Sequence, residues 1–588
     1  MKKLVIIGAG IAGNLTAMYF RKLLPEIDIT LVGRLDRKRP IVGESTVELT
    51  THFLEALGLG TLLEESHYHK YGLTYYFKLQ PDPSCRRYVI HEAPGVLRMP
   101  AYNINRNRFD RDIAGINQQL GIRILRADIA EVSLAEKRPD RHVLTVRHSE
   151  GEQSTLEADW IVDASGRNRF LARKLQLNKP VPYQRSSFWF RLTKFDRTRL
   201  REIDDTRTEH RCYDPYYVTH HFYGKGYWIW LIPMRSENGD DLISIGVTYR
   251  AELMYGEVTS IEQFIALMQR DHPVIAGLIH TGVIVDTNLY KNYMYESSQY
   301  YSENGWFLVG DSGFTFDPAN SAGLAYLAHQ IPQVAAMIKK DMAGTLTPAY
   351  VASLERHLVA QLALQDAWSK WYEIMHEPLK MAWTLLVANL GYFHISLPNY
   401  VNGGFLDGHQ ARHFADLVPR YMPDKQPAAY PFPCLIDAVL ASDGNKLADC
   451  IPNLYPKTVN WDLYRPDEAA RPRYAARYFR MLVRMRLKLM GMVKWQFKLS
   501  HFILLQKHIR GLIADAGQSV ALTLFPSLFY KYGTPPESLA SPFEPHAAFL
   551  RLASHDAAAC APLLQKNGRQ LSAIAAGSMQ ASSAEMHV

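Results

Sequence analysis

Residues 4 to 20 read Leu-Val-Ile-Ile-Gly-Ala-Gly-Ile-Ala-Gly-Asn-Leu-Thr-Ala-Met-Tyr-Phe, an apolar strand, a glycine turn and the start of a helix. Few patterns restrict a fold more. Gly8 suits a tight turn, Gly10 lets backbone amides approach a pyrophosphate, and Gly13 lets the helix pack closely on the strand. Phosphates would then sit on the helix N-terminus, where unpaired amides and the helix dipole favour anions. A glycine-rich turn of some other α/β protein has the same three glycines, but the flanking strand and helix favour a dinucleotide fold. A second strand follows at residues 27 to 32, Ile-Asp-Ile-Thr-Leu-Val. Dinucleotide folds usually end it with an acidic residue on the adenosine ribose. Here Gly33-Arg34 stands there instead, leaving two alternatives: Asp36 as substitute, or Arg34 stacked on adenine.

At 588 residues the chain is too long for one ordinary core, so two or three domains are expected. A hydrophobic content of 47% with 21% charged residues indicates a soluble globular protein. The cysteines, Cys85, Cys212, Cys434, Cys450 and Cys560, are scattered, odd in number and never in a CxxC, which indicates a reducing cytosol and no metal site. Export is not expected, because the glycine turn interrupts the apolar run after Met1. Residues 381 to 406 carry no acidic or basic side chain, but Asn389, Gly391, His394 and Pro398 break them before the ~20 apolar residues of a membrane span. A buried helix and loop is expected there.

Further motifs follow in order. Val42-Gly43-Glu44-Ser45-Thr46 comes after the second strand, and Lys70-Tyr71-Gly72 comes after that. Asn105-Arg106 precedes Phe109-Asp110, Trp160-Ile-Val-Asp-Ala-Ser-Gly-Arg167 forms a strand and turn, and Trp228-Ile-Trp230-Leu-Ile232-Pro233 is rich in aromatics. Finally, Trp306-Phe-Leu-Val-Gly310-Asp311 leads to Asp317-Pro318-Ala-Asn320-Ser321-Ala322-Gly323-Leu324. Each has an ordinary explanation alone: lysines are mostly exposed, and an aromatic-rich strand needs no catalytic role. Together, over residues 1 to 345, they resemble the flavin-dependent halogenases of the flavin monooxygenase superfamily, in particular those acting on phenols and pyrroles.

The resemblance implies FAD contacts at Gly8, Gly10, Ala12, Gly13, Gly43, Glu44, Ser45, Arg106, Asp311 and Leu324. It implies catalytic roles for Lys70 and Ser321, and a halide, chloride or bromide, at the amides of Ala322 and Gly323. Reduced FAD and dioxygen would oxidise halide to hypohalous acid, which Lys70 relays to an electron-rich ring. The lysine could do so as an ammonium that polarises hypohalous acid or as an amine that forms a haloamine, burial favouring the amine. Both routes stay open. Tryptophan halogenases carry a glutamate where this chain has Asn320, so a phenolic or pyrrolic substrate, free or tethered to a carrier protein, is favoured. No second GxGxxG follows a strand, so reduced flavin should come from a separate flavin reductase. An aromatic hydroxylase of the same fold and a non-catalytic flavoprotein binding a membrane or partner are the alternatives.

The expected fold class is α/β. A Rossmann-type FAD-binding part is expected from residues 1 to 110, 155 to 180 and 300 to 345, with an antiparallel substrate sheet at about 180 to 295. A mainly helical region should occupy 346 to 566, loop-rich from Pro398 to Pro472, followed by a disordered tail at 567 to 588. Residues 471 to 510 hold eleven Lys or Arg and no Asp or Glu, so the rest of a chain of formal charge +8 is slightly acidic. Arg473, Arg477, Arg480, Arg484 and Lys488 share a helical face, with Phe479, Leu482, Leu489, Met490 and Val493 opposite and Arg486 intruding on the apolar side. Such a stripe is a solvated face, a dock for an acidic carrier protein, or a contact with an anionic membrane surface. No nucleic-acid motif accompanies it. The location is thus cytoplasmic, peripheral to a membrane if the stripe docks there.

Overall fold

The computed structural model describes residues 1–34, 41–78, 88–91, 101–203, 216–254, 256–366, 368–377, 403–421 and 470–525, with scattered positions between 381 and 401. All five cysteines, Asp36, the residues 422–469 and the tail lie outside the described residues.

Five parallel strands form the first sheet, in the order Trp306–Leu308, Trp160–Asp163, Lys3–Ile7, Asp28–Val32, Arg123–Leu125. Its strands read as nearly unbroken apolar runs because both faces are covered. Leu4, Ile6, Ile29 and Leu31 pack among the residues of the helices Ile11–Leu23 and Gly323–Met342. Val5, Ile7 and Val32 pack on the other side with Val132, Leu144 and Val146, from a three-stranded antiparallel sheet of Asp128–Ser133, His142–Arg147 and Gln153–Ala158. The glycine turn is forced by contact. Gly8 has φ +108°, and a Cβ there would lie 2.4 Å from the Ala164 carbonyl oxygen. A Cβ on Gly13 would fall 1.8 Å from the Gly8 oxygen, so only glycine lets this helix approach its strand.

The second sheet has seven strands, ordered Val283–Tyr290, Ser186–Thr193, Asp241–Tyr249, Tyr227–Arg235, Thr219–Gly224, Leu73–Lys78, Tyr88–His91. It extends beyond residues 180 to 295, taking two strands from the early part of the chain. One of them, Leu73–Lys78, pairs with Thr219–Gly224 in parallel, whereas the other neighbouring pairs are antiparallel. The recruitment follows from the turn at Gly72, whose φ of +104° redirects the chain out of the short strand Tyr68–Lys70. Alternation along the strands separates two faces. Tyr76, Phe222, Tyr227, Ile229 and Leu231 pack against the helices Ile261–Asp271 and Pro273–His280. Tyr75, Phe77, His221, Tyr223, Trp228 and Trp230 occupy the opposite face.

Helices dominate after residue 345: Pro348–Asp366, Trp368–Ile374, Leu397–Val401, Gly408–Tyr421, Ala470–Met492 and Leu499–Leu524. Gly408–Tyr421 lies in a stretch expected to be loop-rich. In the uncharged stretch, Met381, Leu385, Leu397 and Phe405 are buried, and among the described residues no helix is long and apolar enough to cross a membrane. The intrusion of Arg486 on an apolar face also resolves. Its Nε lies 2.6 Å from Asp515 Oδ2 on the next helix, with both side chains buried. Phe479, Leu482 and Val493 are buried as their spacing implied, while the side chains of Arg473, Arg477 and Leu489 lie outside the described residues.

Candidate active site

The helix Ile11–Leu23 begins at Gly10 with no side-chain cap and no acidic residue in its first turn, so its N-terminal amides suit phosphate. Arg34 makes an exposed 2.6 Å ion pair with Asp128, a role that needs no adenine.

The Val42–Thr46 loop carries the next candidates. Gly43 has φ +98°, and a Cβ there would lie 2.8 Å from Arg106 Nη1, so glycine makes room for the guanidinium. Arg106 donates to the Val42 carbonyl at 2.8 Å and grips the Asp110 carboxylate with two bonds of 2.9 and 3.1 Å. Glu44 is buried; burial raises its pKa, and the nearby Arg191 and Arg106 oppose that rise. Its Oε2 accepts from the Gly43 amide at 3.0 Å, whereas Oε1 is buried with no hydrogen-bond partner among the described residues. A buried carboxylate oxygen left unpaired is costly, and a ligand hydroxyl fits the vacancy in its bonding. Asp311 is exposed just past the strand Trp306–Leu308, close enough for its charge to act on Arg106, and its carbonyl accepts from the Tyr295 hydroxyl at 2.7 Å. The donor set therefore suits FAD: open amides at Gly10, an unpaired acceptor at Glu44 and a solvent-facing carboxylate at Asp311.

Lys70 is buried at 2% exposure. Its strand pairs with Ala101–Asn103, Lys70 opposite Ala101, and Ser45 forms a bridge to Asn103 at the end of that strand. One three-residue strand thus sets both the loop and the lysine. Lys70 Nζ donates to Ser45 Oγ at 2.9 Å and to the Thr46 carbonyl. Ser321 Oγ donates to the same Ser45 oxygen at 2.8 Å. Thr219 Oγ1 lies 2.7 Å from Ser45 Oγ and donates to Asn103 Oδ1 at 3.1 Å. Since a hydroxyl has one proton, Thr219 spends its own on Asn103 and Ser45 must donate to Thr219. Every hydroxyl proton in the chain Ser321, Ser45, Thr219 thereby has one direction.

Ser321 belongs to a turn held from several sides. Asn320 and Ser321 have φ of 62° and 59°, a left-handed pair that local preference disfavours by roughly 1–2 kcal/mol per residue. Tyr75 donates to Asn320 Oδ1 at 2.8 Å. Asp317, fully buried, accepts from the Ala319 amide at 2.9 Å and from the Tyr372 hydroxyl at 2.6 Å, and lies 2.8 Å from Arg185 Nε. Tyr372 in turn accepts from Trp228 Nε1 at 2.9 Å. After the turn, the helix Gly323–Met342 starts at Ala322 with no side-chain cap or acidic residue, and space around Gly323 is open. Leu324 is buried behind it.

Residues 3–77 and 87–362 match the family described as tryptophan halogenase. The chain belongs to that family.

Among relatives, the flavin-dependent halogenase chlA of Dictyostelium discoideum is 26% identical over 68% of this chain and 70% of its own length. A 1H-pyrrole-2-carbonyl peptidyl-carrier-protein chlorinase of Pseudomonas fluorescens is 24% identical over 55% and 72%. The halogenase PltM shares the fold, with a TM-score of 0.60 at 16% identity over 86% of this chain and 99% of PltM. The protein is accordingly a flavin-dependent halogenase, an oxidoreductase that uses FAD.

The halogenase brings the sequence-derived residues Lys70 and Ser321 together on Ser45 and sets the guanidinium of Arg106, from the start of the helix Arg106–Gln119, against the loop of Gly43 and Glu44. Reading the sequence did not single out Thr219, Asn103, Tyr75, Arg185 or Tyr372. Alternation was a usable signal for the sheet: Tyr75, His221 and Trp228 share a face, with His221 rings centred 5.1 Å from Tyr75 and 5.4 Å from Trp228. Burial, and next the charge of Lys70, push His221 down to about 3, so its imidazole is neutral near pH 7. Gly246 gives space to this wall, since a Cβ there would strike the Trp230 ring at 2.2 Å.

Proposed function

We propose that the enzyme chlorinates or brominates an electron-rich phenolic or pyrrolic ring, with Lys70 relaying hypohalous acid and a separate flavin reductase supplying reduced FAD. The observation that carries this reading is the shared Ser45 oxygen, which takes hydrogen bonds from both Lys70 and Ser321. Residues Gly8, Gly10, Ala12, Gly13, Gly43, Glu44, Ser45, Arg106, Asp311 and Leu324 would hold FAD, and the amides of Ala322 and Gly323 the halide. Bound reduced FAD supplies, with dioxygen, the oxidation of halide to hypohalous acid. The charge of Lys70 reaches His221 of the aromatic wall, which supports a place for the lysine beside the ring to be halogenated. As an ammonium it lends a proton to the oxygen of hypohalous acid; as an amine it takes the halogen with loss of water and returns it to the ring in exchange for the ring proton. Both routes need the lysine held at Nζ and shielded from water, which the burial of Lys70 supports.

Asn320 bears on the substrate. Its amide is no base, and its Oδ1 is occupied by Tyr75. A ring whose cation is stabilised by its own oxygen or nitrogen needs less help in losing its proton. The named pyrrole chlorinase and a PltM structure with phloroglucinol and FAD are consistent with such substrates. Trp189 Nε1 and the Tyr223 hydroxyl, buried without hydrogen-bond partners among the described residues, are candidate donors to the substrate's polar group. The carrier-bound substrate of the pyrrole chlorinase supports testing tethered as well as free rings.

The test is mass spectrometry of products from a panel of phenols and pyrroles, free and carrier-tethered, with FAD, a flavin reductase, NADPH and either halide. Halide-dependent mass shifts of chlorine or bromine are expected. Hydroxylated product formed equally without halide would overturn the reading, and rapid flavin reduction by NADPH without reductase would remove the separate partner.

A further inference from the structure

The helices Ala470–Met492 and Leu499–Leu524 form a hairpin that buries polar groups beside the apolar Phe479, Leu482, Leu504 and Leu522. Its interior holds the Arg486–Asp515 pair, with side-chain exposures of 2% and 0%. His508 Nε2 contacts the Arg486 carbonyl at 2.8 Å, and Ser519 donates to the Ala476 carbonyl at 3.1 Å. Gly511 is needed beside them, since a Cβ there would lie 2.5 Å from the Arg486 guanidinium carbon. The outward face of the second helix is instead apolar: Phe502, Ile509, Ile513, Val520 and Leu524 recur at seven- and four-residue steps and are 44–68% exposed. The turn adds Trp495, Phe497 and Leu499, all exposed.

We propose that this hairpin seats the enzyme on an anionic lipid bilayer, with the turn and the apolar stripe in the headgroup and acyl boundary. Charge selects the partner. Asp515 is the only acidic residue between 470 and 525 and it is buried, while Arg480, Arg484, Lys488, Lys498 and Arg510 are exposed. A cationic, aromatic-tipped apolar surface complements phosphate headgroups above acyl chains, and long basic side chains can reach those headgroups while their stems stay in the boundary. A second copy would bring like charges together, and an acidic protein would answer the cations but leave the stripe of Ile509, Ile513 and Val520 unexplained. Since neither helix is apolar enough to span, the hairpin lies along the surface.

Flotation of the full-length enzyme with vesicles of phosphatidylcholine plus phosphatidylglycerol, and of phosphatidylcholine alone, tests this. Wild type should float with the anionic vesicles at low salt. Replacing Arg480, Arg484 and Lys488 by glutamine should weaken binding about a hundredfold, as should high salt. Replacing Phe497, Leu499 and Phe502 by serine should abolish flotation, and because all six positions are exposed, retained FAD binding certifies folding. Equal flotation on both vesicle types, no flotation of wild type, or sedimentation showing that the serine variant turns a dimer into a monomer would each overturn the proposal, the last in favour of a second copy. Failure here leaves the halogenation assay untouched, so the two readings fall separately.

Discussion

Lys70 and Arg486 are both buried cations, but the two regions hold them by different means. Lys70 donates to a hydroxyl and a carbonyl of the Val42–Thr46 loop, contacts set where that loop and the lysine's own strand both pair with Ala101–Asn103. Arg486 meets the carboxylate of Asp515, 29 residues away on the neighbouring helix. A lysine can lose its proton and become a nucleophilic amine, whereas a guanidinium stays protonated in a protein and offers no such chemistry. Burial alone therefore does not mark a reactive cation; the chemistry of the buried group decides.

The sharpest way to break that comparison is Lys70→Ala. Halogenated product should fall by at least about a thousandfold while FAD binding persists. Normal product from this variant would make Lys70 as structural as Arg486. Next in size, Asp515→Asn should destabilise the hairpin by about 3–5 kcal/mol in chemical denaturation by removing the negative charge that faces the buried guanidinium, whereas the pair Arg486→Met and Asp515→Leu should recover most of it. Halogenation of a free small substrate should be unchanged by either; a collapse of activity would tie the hairpin to the chemistry. Tyr372→Phe removes the bonds to Trp228 and Asp317 and should cost about 1–3 kcal/mol of stability, with kcat falling more than KM because the Asn320–Ser321 turn loses its anchor. An unchanged kcat would reduce Tyr372 to packing.

The smallest effect is borne by pH. Burial holds His67, His221 and His272, all in the catalytic half, down to about 3, against an ordinary 6.5. Below pH 6.5 the unfolded chain binds protons that the folded chain refuses, so stability is full above that pH and is lost as it falls toward 3. Each histidine contributes a slope of up to about 1.4 kcal/mol per pH unit. Melting of wild type and His272→Gln between pH 7 and 5 should show a shallower loss in the variant; parallel curves would mean that His272 is protonated in the fold.

Local patterns were legible: the glycines of the first turn, the Val-Gly-Glu-Ser loop, Lys70 and the Asn320-Ser321 segment each announce themselves within a few residues. What was not legible depends on distant pairing. Nothing near Leu73–Lys78 says that it will pair with Thr219–Gly224, because its alternation suits any half-buried sheet. Tyr372 is one tyrosine in an ordinary helix until Trp228 and Asp317 are placed beside it. Arg486 looked like an intruder because its counter-charge sits on another helix, beyond the three- and four-residue steps by which a helical face is read.

The hydroxyl of Ser45 also sets a clock. It closes on groups 174 and 276 residues further along the chain. At typical synthesis rates Ser321 leaves the ribosome on the order of half a minute after Ser45. Throughout that interval Ser45 waits for the hydroxyl of Ser321, and for much of it one edge of the Leu73–Lys78 strand waits for Thr219–Gly224. Tyr372 arrives later still, 144 residues after Trp228. The nascent chain can thus complete its glycine turn early, whereas the contact between Ser45 and Ser321 waits until more than half of the chain is made, and a premature stop near residue 345 would release a protein whose Asn320–Ser321 turn lacks the Tyr372 anchor.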